Sequence, residues 1–379
     1  MRTVIRFVLC LALMSVGCAE TSGTGGSAGD GGSGGMGGAG GDGGAAGGAG
    51  CAGGAAGSGG AGGSEGSLCV DLVCPCTEEG LRAAAREGGG PYTFDCDGPT
   101  SLTTQREIRL GNAVILDGEG ELTLDAGDTH RIFELINYEE DVEITLRGMT
   151  LTDGSSGGRD SVGGAIYIFR QTLFLEECNI VGNNADAEGG GIYNDGGVLV
   201  ISGSTIADNS PDGIANRAGA TTLVNTTVSE NRGVGIRNSL SNAQLSLVSS
   251  TLAQNEGDAL AGSGPPPSMA NTIVDGSCSD TVVIASDGHN LESPGDTCGM
   301  DQGSDQTSVS ADDLKLSPLG DNGGPTETNA LGAGSVAIDQ IGADDCVDSL
   351  GDPLLTDQRG ISRPQGTLCD IGAVEVEQP

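Results

Sequence analysis

The chain has no tryptophan, and aromatic residues make up only 2% of its 379 positions. A core without large rings has to be built from Ile, Val, Leu and Ala, which suits a thin solenoid better than a bulky globule. Positive charge is equally scarce. Lys and Arg total 16 against 53 Asp and Glu, Lys315 is the sole lysine, and the net charge is −37. Nucleic acid recognition needs clustered Lys and Arg on phosphates, so nucleic acid is excluded as a partner and anionic headgroups are repelled. Histidine is limited to His130 and His289.

The start, MRTVIRFVLCLALMSVGCAE, has Arg2 and Arg6 before an apolar stretch too short to span a bilayer stably. It ends in Ser-Val-Gly-Cys at 15–18. This resembles a bacterial lipobox, which implies cleavage after residue 17 and lipidation of Cys18; Ser15 stands where Leu is commoner. Residues 18–67 then form a tether, nearly all Gly, Ala and Ser from position 21. Such a segment cannot bury enough apolar surface to offset its chain entropy. As a random coil it spans roughly 35–40 Å.

Internal repeats dominate what remains. GGAIY, GGGIY, DGIAN and GVGIRN carry the anchors Ile166, Ile192, Ile214 and Ile236, with Leu260 a weaker fifth, at spacings of 26, 22, 22 and 24 residues. CNIVGNN, STIADNS, TTVSENR and STLAQNE carry Ile180, Ile206, Val228 and Leu252, spaced 26, 22 and 24. Leu151 is an earlier, less regular member. Each second-set anchor is followed three residues later by asparagine: Asn183, Asn209, Asn231 and Asn255. Short β-branched runs punctuated by Gly and Asn are strand chemistry. About 22 residues suit one coil of three short strands, stacked about 4.8 Å apart. The expected fold is therefore all-β: a parallel β-helix, right-handed by the general crossover rule. The asparagines should form a structural ladder at one turn, tolerating left-handed backbone there and bonding the next amide in the stack. Asn194, Asn216 and Asn238 offer a second column. Leucine-rich repeats share the period but require an L-x-x-L-x-L pattern that is missing here.

Twelve cysteines imply an oxidising compartment. Connectivity does not follow from sequence; the expectation is the local pairs Cys76–Cys96, Cys278–Cys298 and Cys346–Cys369. A zinc site is the rival reading, but neither histidine has ligand spacing to these cysteines.

The stretch CTEEGLRAAAREGGGPYTFDC resembles the cysteine-initiated helix that opens many bacterial pectate-lyase-like β-helix proteins, and the GGAIY and GGGIYN repeats look like their coils. The run SPLGDNGGPTETNALGAGSVAID, with DQRGISRP at 357–364 and CDIGAVE at 369–375, is similar to the closing module of variably anchored surface β-helix proteins. The resemblance covers about 75–376 and implies an extracytoplasmic β-helix; the shared motifs are structural, so no catalytic residue carries over. The domain reading is a signal peptide at 1–17, the tether at 18–67, an N-terminal cap at 68–105 with a short helix started by Thr77, coils at 106–312 and a C-terminal capping module at 313–379. A solenoid needs both ends covered, so the helix is expected to plug one end and the module the other.

Asp208 and Glu230 each lie two residues after an anchor in adjacent repeats, with Gln254 next in the column. Paired carboxylates could act as acid and base on a glycosidic bond or hold a cation such as Ca2+; the plainer reading is a solvated turn with Arg232 as counter-charge. Ile168, Phe169 and Tyr193 offer a sugar-stacking platform. DQRG and DNGG read as turns of the cap. No cofactor motif is present. The reading is a lipid-anchored cell-surface protein on the outer membrane, structural or adhesive, binding polysaccharide or a surface protein without catalysis. The alternative is a polysaccharide lyase or glycoside hydrolase.

Overall fold

The computed structural model describes residues 68–158 and 161–378. The signal peptide, the tether, Cys18 and Cys51 lie outside the described residues.

The fold is an all-β parallel solenoid of about 8 turns. Each coil contributes strands to three faces. On the first face, Ile166 pairs with Ile192, Ile192 with Ile214, Ile214 with Ile236, and Ile236 with Leu260. On the third face, the run is Leu151, Ile180, Ile206, Val228 and Leu252, extended by Val274. Both repeat sets thus form continuous inward columns, and all of these anchors are buried. The second face has a column of its own: Leu116, Leu146, Leu175, Ile201, Leu223, Leu247 and Met269. No repeat motif announces it, because no Gly or Asn at a fixed offset punctuates its strands.

An inward row of the first face changes character along the axis. Leu110, Leu135 and Ile168 are succeeded in register by Asn194, Asn216 and Asn238. The Asn194 amide donates to Asn216 Oδ1 at 3.2 Å, and the Asn216 amide to Asn238 Oδ1 at 2.9 Å.

Helix α1 (Glu78–Glu87) starts at Thr77, whose hydroxyl accepts the Gly80 N–H at 3.1 Å. Glu78 and Glu79 sit in its first turn and Arg86 in its last, which suits the helix dipole. Leu81, Ala84 and Ala85 bury into the main core. Disulfides join Cys76–Cys96, Cys278–Cys298 and Cys346–Cys369, and a fourth, unanticipated one joins Cys69–Cys74. Among the described residues Cys178 is the one free cysteine; burial pushes its thiol up to about 12.

The C-terminal module does not simply stop the end of the solenoid. Ile284, Cys298 and Met300, which precede it, are the last members of the main core along the chain. The module itself lies along the third face. Thr205 Oγ1 donates to the Glu327 carbonyl, Asn225 Nδ2 to the Thr356 carbonyl at 2.7 Å, and Asn271 Nδ2 to the Asp345 carbonyl at 2.9 Å. The physical reason lies in the outward row of that face. Thr205, Thr227 and Thr251 are followed in register by Ile273 and Leu291, all buried. Ile273 and Leu291 join Leu314, Ile341 and Ile371 of the module in a second apolar cluster. A face that is outward and partly apolar needs a cover. Gly372 meets it most closely: a Cβ there would stand 2.7 Å from Ile273 Cδ1 and 2.9 Å from Thr251 Oγ1, at φ +100°.

Candidate functional site

The asparagine ladder occupies the corner after each third-face strand. Asn183 donates its side-chain amide to Asn209 Oδ1 at 3.0 Å, Asn209 to Asn231 at 3.1 Å, and Asn231 to Asn255 at 2.9 Å. Each acceptor oxygen also takes the backbone N–H of the asparagine one coil back, at 3.0–3.1 Å. Each amide nitrogen also donates to the carbonyl of the apolar anchor one coil back, Leu151, Ile180, Ile206 or Val228. Asn183, Asn209 and Asn231 are buried and Asn255 half-buried. The amide N–H groups of Asn183, Asn209 and Asn231 are all engaged within the ladder and leave none for a ligand.

The left-handed backbone at this corner does not belong to the asparagines. It belongs to the residue before each, Gly182, Asp208, Glu230 and Gln254, and to Asp153 at the same corner one coil earlier, where Gly154 follows instead of an asparagine, with φ between 52° and 69°. That corrects the role expected of the asparagine. The ladder asparagine closes the corner by hydrogen bonding, while its predecessor makes the bend. Asp208 and Glu230 therefore stand at equivalent corners of neighbouring coils, directly after the Ala207–Ser229 pair. Both are exposed. Asp208 pairs with Arg232 at 3.5 Å, both side chains about 60% open to solvent. Catalytic carboxyls on glycosides work in sites that desolvate one of the two acids; an open corner supplies no such wall. No group of three His, Cys, Asp or Glu able to hold a metal ion is found among the described residues.

Asp357 and Gln358 of the DQRG motif are buried where the module meets the solenoid. Asp357 accepts the N–H groups of Arg359, Ile361 and Glu375, and the Arg359 guanidinium. Gln358 donates to Ser204 O and Thr205 Oγ1 at 3.1 and 2.9 Å and accepts Thr227 Oγ1 at 2.7 Å. These groups seat the module on the solenoid.

The first face carries the more informative surface. One outward row reads, in register, Arg109, Glu134, Tyr167, Tyr193, Ala215 and Arg237. Phe169 lies two residues beyond Tyr167 on the same outward side, next to Ile136 and Asp195. Tyr138 packs against Phe169 with ring centroids 5.8 Å apart and is 80% exposed. Tyr167 and Tyr193 approach at 6.0 Å, with Tyr167 half-buried and Tyr193 buried. Arg170 stacks over Phe169 and Arg131 over Tyr167, each at 5.1 Å. In a chain with four tyrosines, three converge here. Desolvation raises both Tyr167 and Tyr193, the latter to about 12, so both hydroxyls stay protonated at neutral pH. Arg217 bonds Asp195 at 2.9 Å, and Arg237 forks onto the buried Asp212 at 2.9 and 3.0 Å.

Of the platform expected from sequence, Phe169 holds an outward position and Tyr193 lies on the outward row of the next coil beside Tyr167, buried. Ile168 does not belong: alternation along the strand turns it inward, fully buried. Tyr138 and Tyr167 are the rings that sequence reasoning passed over. Tyr167 was within reach, because its motif aligns GGAIY with GGGIY and so places the two tyrosines side by side. Tyr138 sits in an irregular turn with no repeat partner.

No known family's sequence model matches the chain, and no curated protein does either. Among solved structures the chain is similar to the crystal structure of pectate lyase Pel9A, at 12% identity and a TM-score of 0.40, covering 77% of this chain and 90% of that one. At that identity the likeness concerns fold alone; the solenoid assignment rests on the strand registers above.

Proposed function

We propose that this protein is a lipid-anchored surface β-helix that binds a glycan, or a surface partner, through the aromatic strip on its first face, without turning it over. The observation that carries the reading is the exposed Tyr138 set against Phe169, beside Tyr167. Sugar rings present apolar faces that stack on such rings, while flanking arginines and carboxylates bond the hydroxyls. Four disulfides fit an oxidising, extracytoplasmic compartment. No helix among the described residues is long and apolar enough to cross a membrane. The anchor is supported by the Ser-Val-Gly-Cys motif at 15–18.

Screening the chain against neutral and acidic polysaccharides tests the reading. Tyr138→Ala is expected to weaken glycan binding about tenfold, as loss of one stacking ring costs about 1–1.5 kcal/mol, with the thermal unfolding midpoint unchanged. Release of shortened or unsaturated products by the native chain would overturn the non-catalytic reading and favour the lyase or hydrolase alternative, with Asp208→Asn and Glu230→Gln the first variants to assay. For the anchor, Cys18→Ser should move the protein from the membrane fraction to the soluble one; retention in the membrane would exclude lipidation at this cysteine.

A further inference from the structure

The chain repels anions as a whole, yet one cleft reverses that sign. It is a groove of about 470 Å³ between helix α1 and the first-face strand Ile108–Leu110, and its walls carry Arg82, Arg86, Arg106 and Arg109. A quarter of the 16 cationic residues of the chain thus gather at one place. Helical spacing puts Arg82 and Arg86 four residues apart on one side of α1. The turn before the strand supplies Arg106, and strand alternation supplies Arg109 with its side chain outward.

Local charge balance shows what the groove lacks. Arg82 is neutralised by Glu78 at 2.6 Å. Arg109 bonds Glu134 at 2.5 Å, and Arg131 bonds Glu107 at 2.6 Å. Two arginines and two glutamates cancel in that second group. Arg86 and Arg106 are exposed and have no carboxylate partner among the described residues. Among the lining residues and their ion-pair partners, five arginines thus face three glutamates, an excess of two positive charges on planar, multi-donor guanidinium groups, which suit bidentate recognition of tetrahedral oxyanions.

The surroundings decide what kind of anion fits. With a net charge of −37 over the chain, a long polyanion crossing the groove would run on over repelling surface. Screening limits the reach of these fields to about 8 Å at physiological ionic strength. A compact dianion inside the groove is governed by the arginines around it; an extended polymer is governed by the rest. We infer that this groove is a binding site for a phosphomonoester group, carrying about −1.5 to −2 charges at neutral pH, such as a phosphorylated sugar or a lipid headgroup of that type. The inference is independent of the glycan reading, since it uses none of the aromatic residues of the first face.

The test is calorimetric titration of the full chain with glucose 6-phosphate, inorganic phosphate and polygalacturonate, and flotation with vesicles containing phosphatidic acid. The expected result is saturable binding of a phosphomonoester that falls at least tenfold in R86Q/R106Q and is unchanged in R217Q, whose partner Asp195 lies on another coil. Binding of the sugar phosphate assigns a glycan source, and binding of the vesicles alone assigns a lipid source; either supports the site. Polygalacturonate bound as well as the phosphomonoester, or equal losses in R86Q/R106Q and R217Q, would overturn it, as would no binding of either phosphomonoester probe. Both substituted side chains are exposed, and an unchanged unfolding midpoint confirms that the variant is folded.

Discussion

Replacing Asn209 by alanine should cost about 3 kcal/mol or more in unfolding free energy, read as a lowered denaturant midpoint. The Asn209 side chain ties its own coil to the coils on either side. Its oxygen accepts the Asn183 backbone N–H and the Asn183 amide, and its nitrogen donates to the Ile180 carbonyl and to Asn231. Alanine leaves the buried Asn183 N–H without its partner, at about 1–3 kcal/mol, and strips one further bond each from the Ile180 carbonyl and from Asn231 Oδ1, at about 1 kcal/mol apiece. It also opens a void between stacked coils that water cannot fill without disturbing the columns. The neighbouring residue gives a control one position away. Asp208 holds φ 57° on the outer corner, so Asp208→Gly should lie within about 0.5 kcal/mol of the native chain, since relief of left-handed strain offsets the added chain entropy. Asp208→Val should cost about 1–2 kcal/mol, because a β-branched residue is disfavoured in that conformation. An Asp208→Gly loss as large as that of Asn209→Ala would mean that the acid column, and not the amide ladder, holds the corner.

The contrast between these two adjacent positions also explains what the sequence made legible. The first and third faces are readable because their strands end at fixed chemical marks, glycines before the first-face anchors and asparagines three residues after the third-face ones. The second face, Leu146 through Met269, ends in corners made by Glu177, Gly203, Asn225, Ser249 and Asn271, all at positive φ. Four residue types there satisfy one backbone requirement at five corners, so no motif repeats. Chain order hides the aromatic strip in a different way. Tyr138 and Phe169 are 31 positions apart and meet only because one coil lies over another. The basic groove is hidden by averaging: a net charge summed over the chain conceals four arginines brought together by a helix, a turn and a strand. The flank position of the C-terminal module was equally illegible, because the solenoid needs both an end cover and a side cover, and a loop-rich tail read alone answers to either.

Removing the charge of Arg363 should produce the other large effect, and its size should depend on pH. The Arg363 side chain and Glu375 are both fully buried and bond at 3.0 Å. Arg363 also donates to the carbonyls of Asp370 and Gly372 at 2.9 and 2.6 Å, the segment that lies on Thr251 and Ile273. Arg363→Met leaves Glu375 charged and unpaired in the interior, a change that costs about 3–5 kcal/mol at neutral pH. The module should loosen first, so limited proteolysis is expected to cut within 313–378 while the coils resist. Burial raises the Glu375 carboxyl above its usual range, and Arg363 is the leading influence that lowers it. With the arginine gone, the folded-state pKa of Glu375 rises further above the value in the unfolded chain. The folded variant then binds its proton more tightly than the unfolded one, so its stability increases as pH falls through the raised pKa and drops as pH rises. The deficit of Arg363→Met relative to the native chain should therefore shrink on acidification from neutral pH towards about pH 5. Adding Glu375→Gln should recover part of the loss at neutral pH and abolish most of that pH dependence, since the amide carries no charge and its single oxygen keeps one of the two bonds that the carboxylate accepts from the Gln365 and Asp370 N–H groups. A deficit that stays constant across this range, or a double variant no better than the single one, would show that Arg363 supports the module through its carbonyl contacts and packing and not through the buried ion pair.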